Sequence, residues 1–530
     1  MYKHFGVMLD CSRNSVMQVE TLKYFIDCLQ KMGYDTLELY TEDTYEVEGD
    51  PYFGYQRGRY SGKELREIDA YAKTRGVELI PCIQTLAHFT VLDYGVYRDI
   101  IDCEDVLLVD EPKTYEFIER IFQSLAKNFT SRKVNIGMDE AFMIGRGKYL
   151  DKHGYVDRTE MLVRHLHKVA EIAKKYGFQT HMWSDMFFRL VSNGEYYESN
   201  APIADSVKKM IPDNVDLCYW DYYHKEKSVY DQMLARHKQF DSGLWFAGGA
   251  WTWVGFAPMA RFSLHTMKPA MESVREHGIE NVFITMWGDN GGECSPFSQL
   301  HTLYTIRQYA DGNFDQEKIE KGFYELFGVE YADFMLLDLP NMHGFDDPQT
   351  EPLCFAKAFL FMDPFMGIFD STVKDCYRVP YSEYAKKLRE GAERAKDFRY
   401  IFDELATLCE TLAIKTDLGV RTRSAYEKGD KEGLKELVKD YGRVKALVEK
   451  FHEAFYVLWH KENKSNGWEI QDARIGGLIR RLDTCARRLN DYIDGKITGI
   501  EELEEELLQA GDGKHVSCNR YLSMISRSVM

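Results

Sequence analysis

The sequence predicts an α/β fold, a (β/α)8 TIM barrel followed by a mainly α-helical C-terminal domain. Three observations carry this expectation. Short apolar runs alternate with segments of helical spacing from residue 5 to residue 287, and one helix per strand reads as parallel α/β. The runs number eight, as a closed barrel requires, and such a barrel places its chemistry at the C-terminal strand ends. Acids and tryptophans gather at those ends in this chain.

The strand-like runs are 5–9, 36–40, 77–83, 134–138, 178–183, 215–220, 244–248 and 281–287. Helical periodicity fills 18–32, 61–75, 114–128, 158–176, 200–210, 226–240 and 261–278, and a last barrel helix is expected at 298–310. Gly33, Gly76, Gly177 and Gly278 stand just before a run, as glycines do where a helix ends in a left-handed residue. Beyond residue 312 the strand-like runs stop. Residues 380–530 are rich in Glu, Lys, Leu, Arg and Ala, with helical spacing such as Leu405, Leu408 and Leu412. The domains are therefore expected at 1–311, the barrel, and 312–530, the helices. The aromatic stretch 353–370 reads as packing between the two, with a subunit interface or a wall of the site as alternatives.

A chain of 530 residues, 45% hydrophobic and 14% aromatic, can bury a large core in two or more domains. Aromatic faces also cover the apolar C–H faces of pyranose rings. The 67 basic and 85 acidic residues leave a net charge of −18. That excess of acid argues against nucleic-acid and anionic-membrane partners, which need a basic footprint. The 11 cysteines show no CxxC pairs, which predicts free buried thiols in a reducing compartment. A strand-like run so close to Met1 leaves no room for a secretory leader, and no apolar run reaches the length of a membrane span. Together these features predict a soluble, cytoplasmic protein. No metal or other cofactor is implied. His165 and His167 stand at i and i+2 of a helix and so do not face together.

The ends of the runs supply the candidate site. The first leads into Asp10-Cys11-Ser12-Arg13, the second into Thr41-Glu42-Asp43, and the third into Gln84-Thr85-Leu86-Ala87-His88. The fourth runs through Asn135-Ile136-Gly137-Met138 into Asp139-Glu140. Trp183-Ser184-Asp185 and Tyr219-Trp220-Asp221 close the fifth and sixth. Trp251 and Trp253 follow the seventh, and Trp287-Gly288-Asp289 closes the eighth. Of the 8 tryptophans, 183, 220, 251, 253 and 287 fall at these ends. The pattern predicts a deep, aromatic-walled pocket with acids and one arginine, which is a sugar site. Trp220 alternates away from Tyr219 along its run and is expected in the core.

Asp139 and Glu140 are sequence neighbours, and neighbours on a strand point to opposite faces. They share a pocket only if the strand bends or ends there. A conventional retaining glycosidase holds its two carboxyls on opposite sides of the anomeric carbon, about 5 Å apart. Two neighbours on one strand end are poorly placed for that. One can reach the glycosidic oxygen while the other reaches a group beside C1, which points to a nucleophile supplied by the substrate, such as an acetamido carbonyl at C2.

The run His or Asn, any residue, Gly, any residue, Asp-Glu, present as Asn135 to Glu140, resembles the signature of family 20 glycoside hydrolases, the β-N-acetylhexosaminidases. That family is a known exception to the two-carboxylate scheme. The resemblance spans roughly residues 5–310. It implies Glu140 as general acid and then base, and Asp139 as the group that orients the acetamido nitrogen and stabilises an oxazolinium intermediate. It implies Tyr219 on the acetamido oxygen, with Asp221 following on the same face, and Trp183, Trp287 and Trp253 around the acetamido pocket. Leu9-Asp10-Cys11-Ser12-Arg13 resembles the family's Leu-Asp-x-Ser-Arg, whose arginine clamps sugar hydroxyls. Asp43 and His88 match positions that support the acid, and Asp289 matches an acid that binds sugar hydroxyls. The segment 45–60 and Met138, where a small residue is usual, depart from the commoner pattern, as does the lack of a small α/β domain ahead of the barrel.

The expected function is exo-β-N-acetylhexosaminidase, removing terminal β-linked GlcNAc, with GalNAc left open, from short glycans with retention of configuration. Two alternatives stand beside it. One is another retaining glycosidase, such as the families that use an Asp-Asp pair, which the Asp-Glu order disfavours. The other is a non-catalytic sugar-binding barrel. The amphipathic C-terminal helices are compatible with a homodimer and equally with packing on the barrel.

Overall fold

A computed structural model of the chain describes residues 2–528 apart from 91, 93, 191–193, 198–207, 377–378 and 509–518. Its strands, in chain order, are β1 (His4–Asp10), β2 (Thr36–Tyr40), β3 (Glu78–Cys82), β4 (Ile101–Cys103), β5 (Val106–Leu107), β6 (Lys133–Asn135), β7 (Gln179–Trp183), β8 (Val215–Trp220), β9 (Leu244–Gly249) and β10 (Asn281–Met286). All but β4 and β5 close one barrel in the order β1-β10-β9-β8-β7-β6-β3-β2, and its neighbouring strands pair in parallel. β4 and β5 form a separate antiparallel hairpin, too short to leave a periodicity in the sequence. The fourth run is a strand only to Asn135, shorter than the expected 134–138, because the backbone turns out of the sheet after it.

Helices occupy Val19–Met32, Gly62–Thr74, Pro112–Asn128, Arg158–Lys175, Lys227–His237, Ala260–Glu276 and Leu300–Ala310, close to the expected ranges. The helix expected at 200–210 falls largely outside the described residues. Gly33, Gly76, Gly177 and Gly278 all have φ in the left-handed region, the conformation that releases a helix into the next strand without a Cβ clash.

Alternation along the strands sorts side chains into two cores. Met8, Tyr40, Ile80, Cys82, Trp183, Cys218, Trp245, Ala247 and Phe283 fill the barrel interior, and Trp220 and Trp287 pack against it. The opposite faces pack under the helices. Trp245 closes the inner core near the N-terminal end of the barrel, stacked on His181 at 4.5 Å and on His4 at 5.3 Å. The nine described free cysteines include Cys82 and Cys218, both buried inside the barrel.

After Ala310 the described chain is helical, and its longest helices are Arg399–Lys415, Lys431–Glu462 and Trp468–Ile493. They pack on the C-terminal side of the barrel. Phe256, in the loop after β9, meets Phe451 at 5.0 Å and Phe455 at 5.4 Å. The aromatic stretch 353–370 forms the buried helix Phe355–Phe361, whose Phe361 lies 6.1 Å from Phe256, as expected of packing between barrel and helices. Among the described residues no helix is long and apolar enough to cross a membrane. Replacing Trp245 by Ala is expected to lower stability by about 3–5 kcal/mol, since a buried indole leaves a large cavity; thermal or denaturant unfolding measures it.

Candidate active site

The site begins with a backbone that refuses to continue as a strand. Gly137, Met138 and Glu140 have φ of 71°, 69° and 50°. Non-glycine residues pay roughly 1–2 kcal/mol each for that region. Gly137 is required where it stands, because a Cβ there would lie 2.1 Å from Gln84 Oε1 and 2.8 Å from the Ile83 carbonyl. The turn is held by hydrogen bonds from Gly137 N to Asn135 Oδ1 (3.0 Å), Met138 N to Gln84 Oε1 (3.2 Å) and Glu140 N to Asp185 Oδ2 (3.3 Å). With alternation broken, Asp139 and Glu140 both line one pocket.

The two carboxyls sit in different electrostatic surroundings. Asp139 accepts from Gln84 Nε2 at 2.9 Å and faces His88 Nε2 at 3.1 Å. Burial alone would raise its pKa, but the His88 charge and these hydrogen bonds bring it below the ordinary value. For His88 burial opposes the charge, yet Asp139 pushes its pKa up to about 9. Glu140, with 45% of its side chain exposed, lies 4.0 Å from His88. Burial first, and then the Asp139 charge, raise its pKa. Asp185 is buried and pushed up to about 7 by burial and by Asp139, and Arg189 donates to it at 3.0 Å.

Arg13 stands across the pocket. It meets Asp10 at 3.0 Å, Glu42 at 3.5 Å and Asp289 at 3.9 Å, and its guanidinium lies over the rings of Tyr40 and Trp287. Asp10 also accepts from Ser12 Oγ and from Gly288 N, which ties the ends of β1 and β10 together. Arg13 and Asp289 thus present a cation and a carboxylate to the same space.

The pocket has a volume of about 510 Å³, part of it open to solvent, and is lined by Arg13, His88, Asp139, Glu140, Trp183, Trp220, Tyr222, Tyr223, Trp253, Trp287 and Asp289. Trp251 forms a second layer, stacked behind Trp253 at 4.2 Å and donating to the Tyr222 carbonyl. Gly249 makes room for this wall: a Cβ there would lie 3.0 Å from both the Trp253 and Tyr222 rings.

Three expected binding residues are not on the pocket wall. Tyr219 is fully buried, stacked at 4.9 Å on His237 of the outer helix, and donates to Asp221 Oδ2 at 2.7 Å. Asp221 is equally buried and turned to His224. The two do share a strand face, but it is the outer one. Cys218 belongs to the barrel interior, so alternation points Trp220, and not Tyr219, inward. The expectation of Trp220 in the core is corrected for the same reason. Asp43 points away from the pocket to pair with Arg57 at 3.3 Å, while its neighbour Glu42 faces Arg13. His88 is in the site but bonds Asp139 rather than the acid. Sequence reading gave no role to Glu42, Gln84 and Asp185, although it placed them at run ends, and did not reach Tyr222 and Tyr223. Glu42, Gln84, Asp185 and Tyr222 each stand two residues beyond an inward-facing side chain, so the inward phase of their strands was the signal for them; Tyr223 is out of that phase and no local pattern marks it.

His88 raised above its unfolded value contributes stability that is present at low pH and lost as pH rises through about 9. Asp139, lowered, contributes stability that is present above its unfolded value and lost as pH falls through its folded one. NMR titration of the His88 ring is expected to show a midpoint near 9. In Asp139→Asn that midpoint drops well below 9, since the Asp139 charge and its charge-assisted hydrogen bond no longer oppose burial and the Arg13 charge.

The model described as "Glycosyl hydrolase family 20, catalytic domain" matches residues 2–238, and that described as "Glycoside Hydrolase 20C C-terminal domain" matches 332–521. A β-hexosaminidase of Emericella nidulans is 28% identical over 167 residues, 26% of this chain and 28% of that protein. One of Vibrio furnissii is 28% identical over 214 residues, 32% of this chain and 35% of that protein. The chain thus spans about a third of the length of these relatives. A solved GH20 exo β-N-acetylglucosaminidase of Vibrio harveyi, in complex with N-acetylglucosamine, overlaps at TM-score 0.46 and 15% identity, over 64% of this chain and 58% of that one. With one model on the barrel and the other on the helices behind it, the chain belongs to glycoside hydrolase family 20.

Proposed function

We propose that this chain is an exo-acting β-N-acetylhexosaminidase that releases terminal β-linked GlcNAc, with GalNAc as a second candidate substrate, by retaining, substrate-assisted catalysis. The observation that carries the reading is the Asp139–Glu140 pair, turned into one pocket with opposite pKa shifts. A carboxyl whose pKa is raised beside one whose pKa is lowered is what acid and charge-stabilising roles need.

The sugar enters among Trp183, Trp253 and Trp287, with Arg13 and Asp289 on its hydroxyls. The acetamido carbonyl oxygen attacks C1 as the C1–O glycosidic bond breaks. Glu140 gives its proton to the departing oxygen. The positive charge of the resulting oxazolinium falls beside Asp139, which accepts from the acetamido N–H while His88 and Gln84 keep it ionised and aimed. Glu140, now a base, takes a proton from the water that attacks C1, and the two inversions leave the configuration retained. The phenol expected of Tyr219 is supplied in this reading by Tyr222, which lines the wall between Trp220 and Trp253. Residues 1–311 form the catalytic unit and 312–530 a helical domain. The reading extends to cytoplasmic action on short glycans and to dimerisation through the C-terminal helices.

The test is release of an aryl leaving group from β-GlcNAc, β-GalNAc and β-glucose glycosides. Turnover of the first, with none of the glucoside, is expected, and silence on all of them would sink the reading. Glu140→Gln is expected to abolish hydrolysis of poor leaving groups. Asp139→Asn is expected to lower kcat on the order of 10²-fold or more, as loss of a preorganised charge does.

A further inference from the structure

The loop after β10 carries Asp289, and the C-terminal helices grip its backbone. Asn519 Nδ2 donates to the Asp289 carbonyl at 3.2 Å. Lys357 Nζ and Arg474 Nη1 donate to the Asn290 carbonyl at 3.1 and 2.7 Å. Gln471 Nε2 donates to the Gly291 carbonyl at 3.1 Å. Consecutive carbonyls are thus fixed by side chains more than sixty residues away in sequence. The loop needs such a grip. Asn290, Gly291 and Gly292 have φ of 59°, 153° and 62°, and a run of three successive residues at positive φ leaves a turn with no strand or helix partners of its own, held through its carbonyls by these side chains.

Two further features point the same way. Lys357 and Arg474 also close on Glu293 at 2.8 and 2.9 Å, with the Lys357 and Glu293 side chains at most 1% exposed. A buried ion cluster is weak grounds for stability, since desolvation offsets much of the attraction, but it fixes geometry closely. Asn519 also donates to the Trp253 carbonyl. One side chain therefore ties the wall that bears Trp253 to the segment that bears Asp289.

We propose that Lys357, Gln471, Arg474 and Asn519 are positioning residues for the sugar site: without touching substrate, they set where the Asp289 carboxylate stands. The helical region is then part of the site's architecture and not only a support for the barrel. The proposal rests on the reading of Asp289 as an acid that binds sugar hydroxyls.

The experiment uses the full chain with Asn519→Ala, Arg474→Met and Arg474→Lys, each alone and combined with Asp289→Ala. Asn519 lies outside the buried ion cluster, so its variant keeps the test open if Arg474→Met folds poorly. The readouts are kcat and KM on the aryl β-GlcNAc glycoside, the melting temperature, and affinity for free N-acetylglucosamine by tryptophan fluorescence. Asn519→Ala and Arg474→Met are each expected to raise KM on the order of fivefold with kcat within about twofold, and to add less than about twofold when Asp289 is already Ala, because residues acting through one another are non-additive. Arg474→Lys is expected to recover part of the loss. Unchanged KM in both single variants, or a full effect that persists without Asp289, overturns the proposal. An inactive wild-type chain counts against the proposed function instead, and the same comparison is then read from N-acetylglucosamine affinity alone.

Discussion

The site depends on one backbone constraint, the departure from strand geometry between Asn135 and Glu140. A regular strand would send Asp139 and Glu140 to opposite faces, one into the pocket and the other under the outer helices. Left-handed residues at Gly137, Met138 and Glu140 remove that alternation. The strain is absorbed by the neighbouring strand ends. Gln84, beyond β3, receives the Met138 N–H and donates to Asp139, so a single side chain both holds the turn and aims the carboxylate. Asp185, beyond β7, receives the Glu140 N–H. The absence of a Cβ at Gly137 allows Gln84 to come this close.

Once both carboxyls face one space, their mutual repulsion does chemical work. Neither is free to ionise independently. His88 resolves the competition in favour of Asp139, since it bonds that residue at 3.1 Å and stands 4.0 Å from Glu140. Asp139 is held below its ordinary pKa, while burial and then the Asp139 charge raise that of Glu140. The Glu140 side chain nonetheless stays partly open to solvent. The same field reaches Asp185, whose raised pKa follows from burial and from Asp139. A single histidine, closer to one acid than to the other, thus helps pull the pKa values of two adjacent carboxyls apart.

The aromatic wall follows from barrel geometry. Inward side chains of alternate strand positions fill the interior in layers, and the uppermost layer is the pocket floor. Trp183 belongs to the interior core, with Trp220 and Trp287 packed against it. The rings that line the pocket are therefore continuous with the rings that hold the barrel together. This continuity makes the floor rigid. The rim, by contrast, rests on loops, and the one carrying Asp289 is fixed by residues from the helical region as well as by Asp10 of β1.

The sequence by itself determined the barrel, the ends at which its chemistry gathers, and the Asp139–Glu140 pair. These are local properties: alternation of apolar residues, one helix per strand, helix-ending glycines, and a motif six residues long. It also placed Arg13, His88, Trp183, Trp253, Trp287 and Asp289, since each stands at a strand end or in the loop that follows one, and the pocket includes them all. Tertiary structure decided the rest. Whether Tyr219 or Trp220 faces inward depends on the phase in which β8 joins the closed sheet, and a shift of one residue exchanges the two faces. The same phase put Glu42 rather than Asp43 beside Arg13. The grip of Lys357, Gln471, Arg474 and Asn519 on the last loop joins segments far apart in the chain, and no local pattern encodes such a contact. Periodicity reports how a segment repeats, whereas only the closed, packed structure sets which way each repeat points and what it meets.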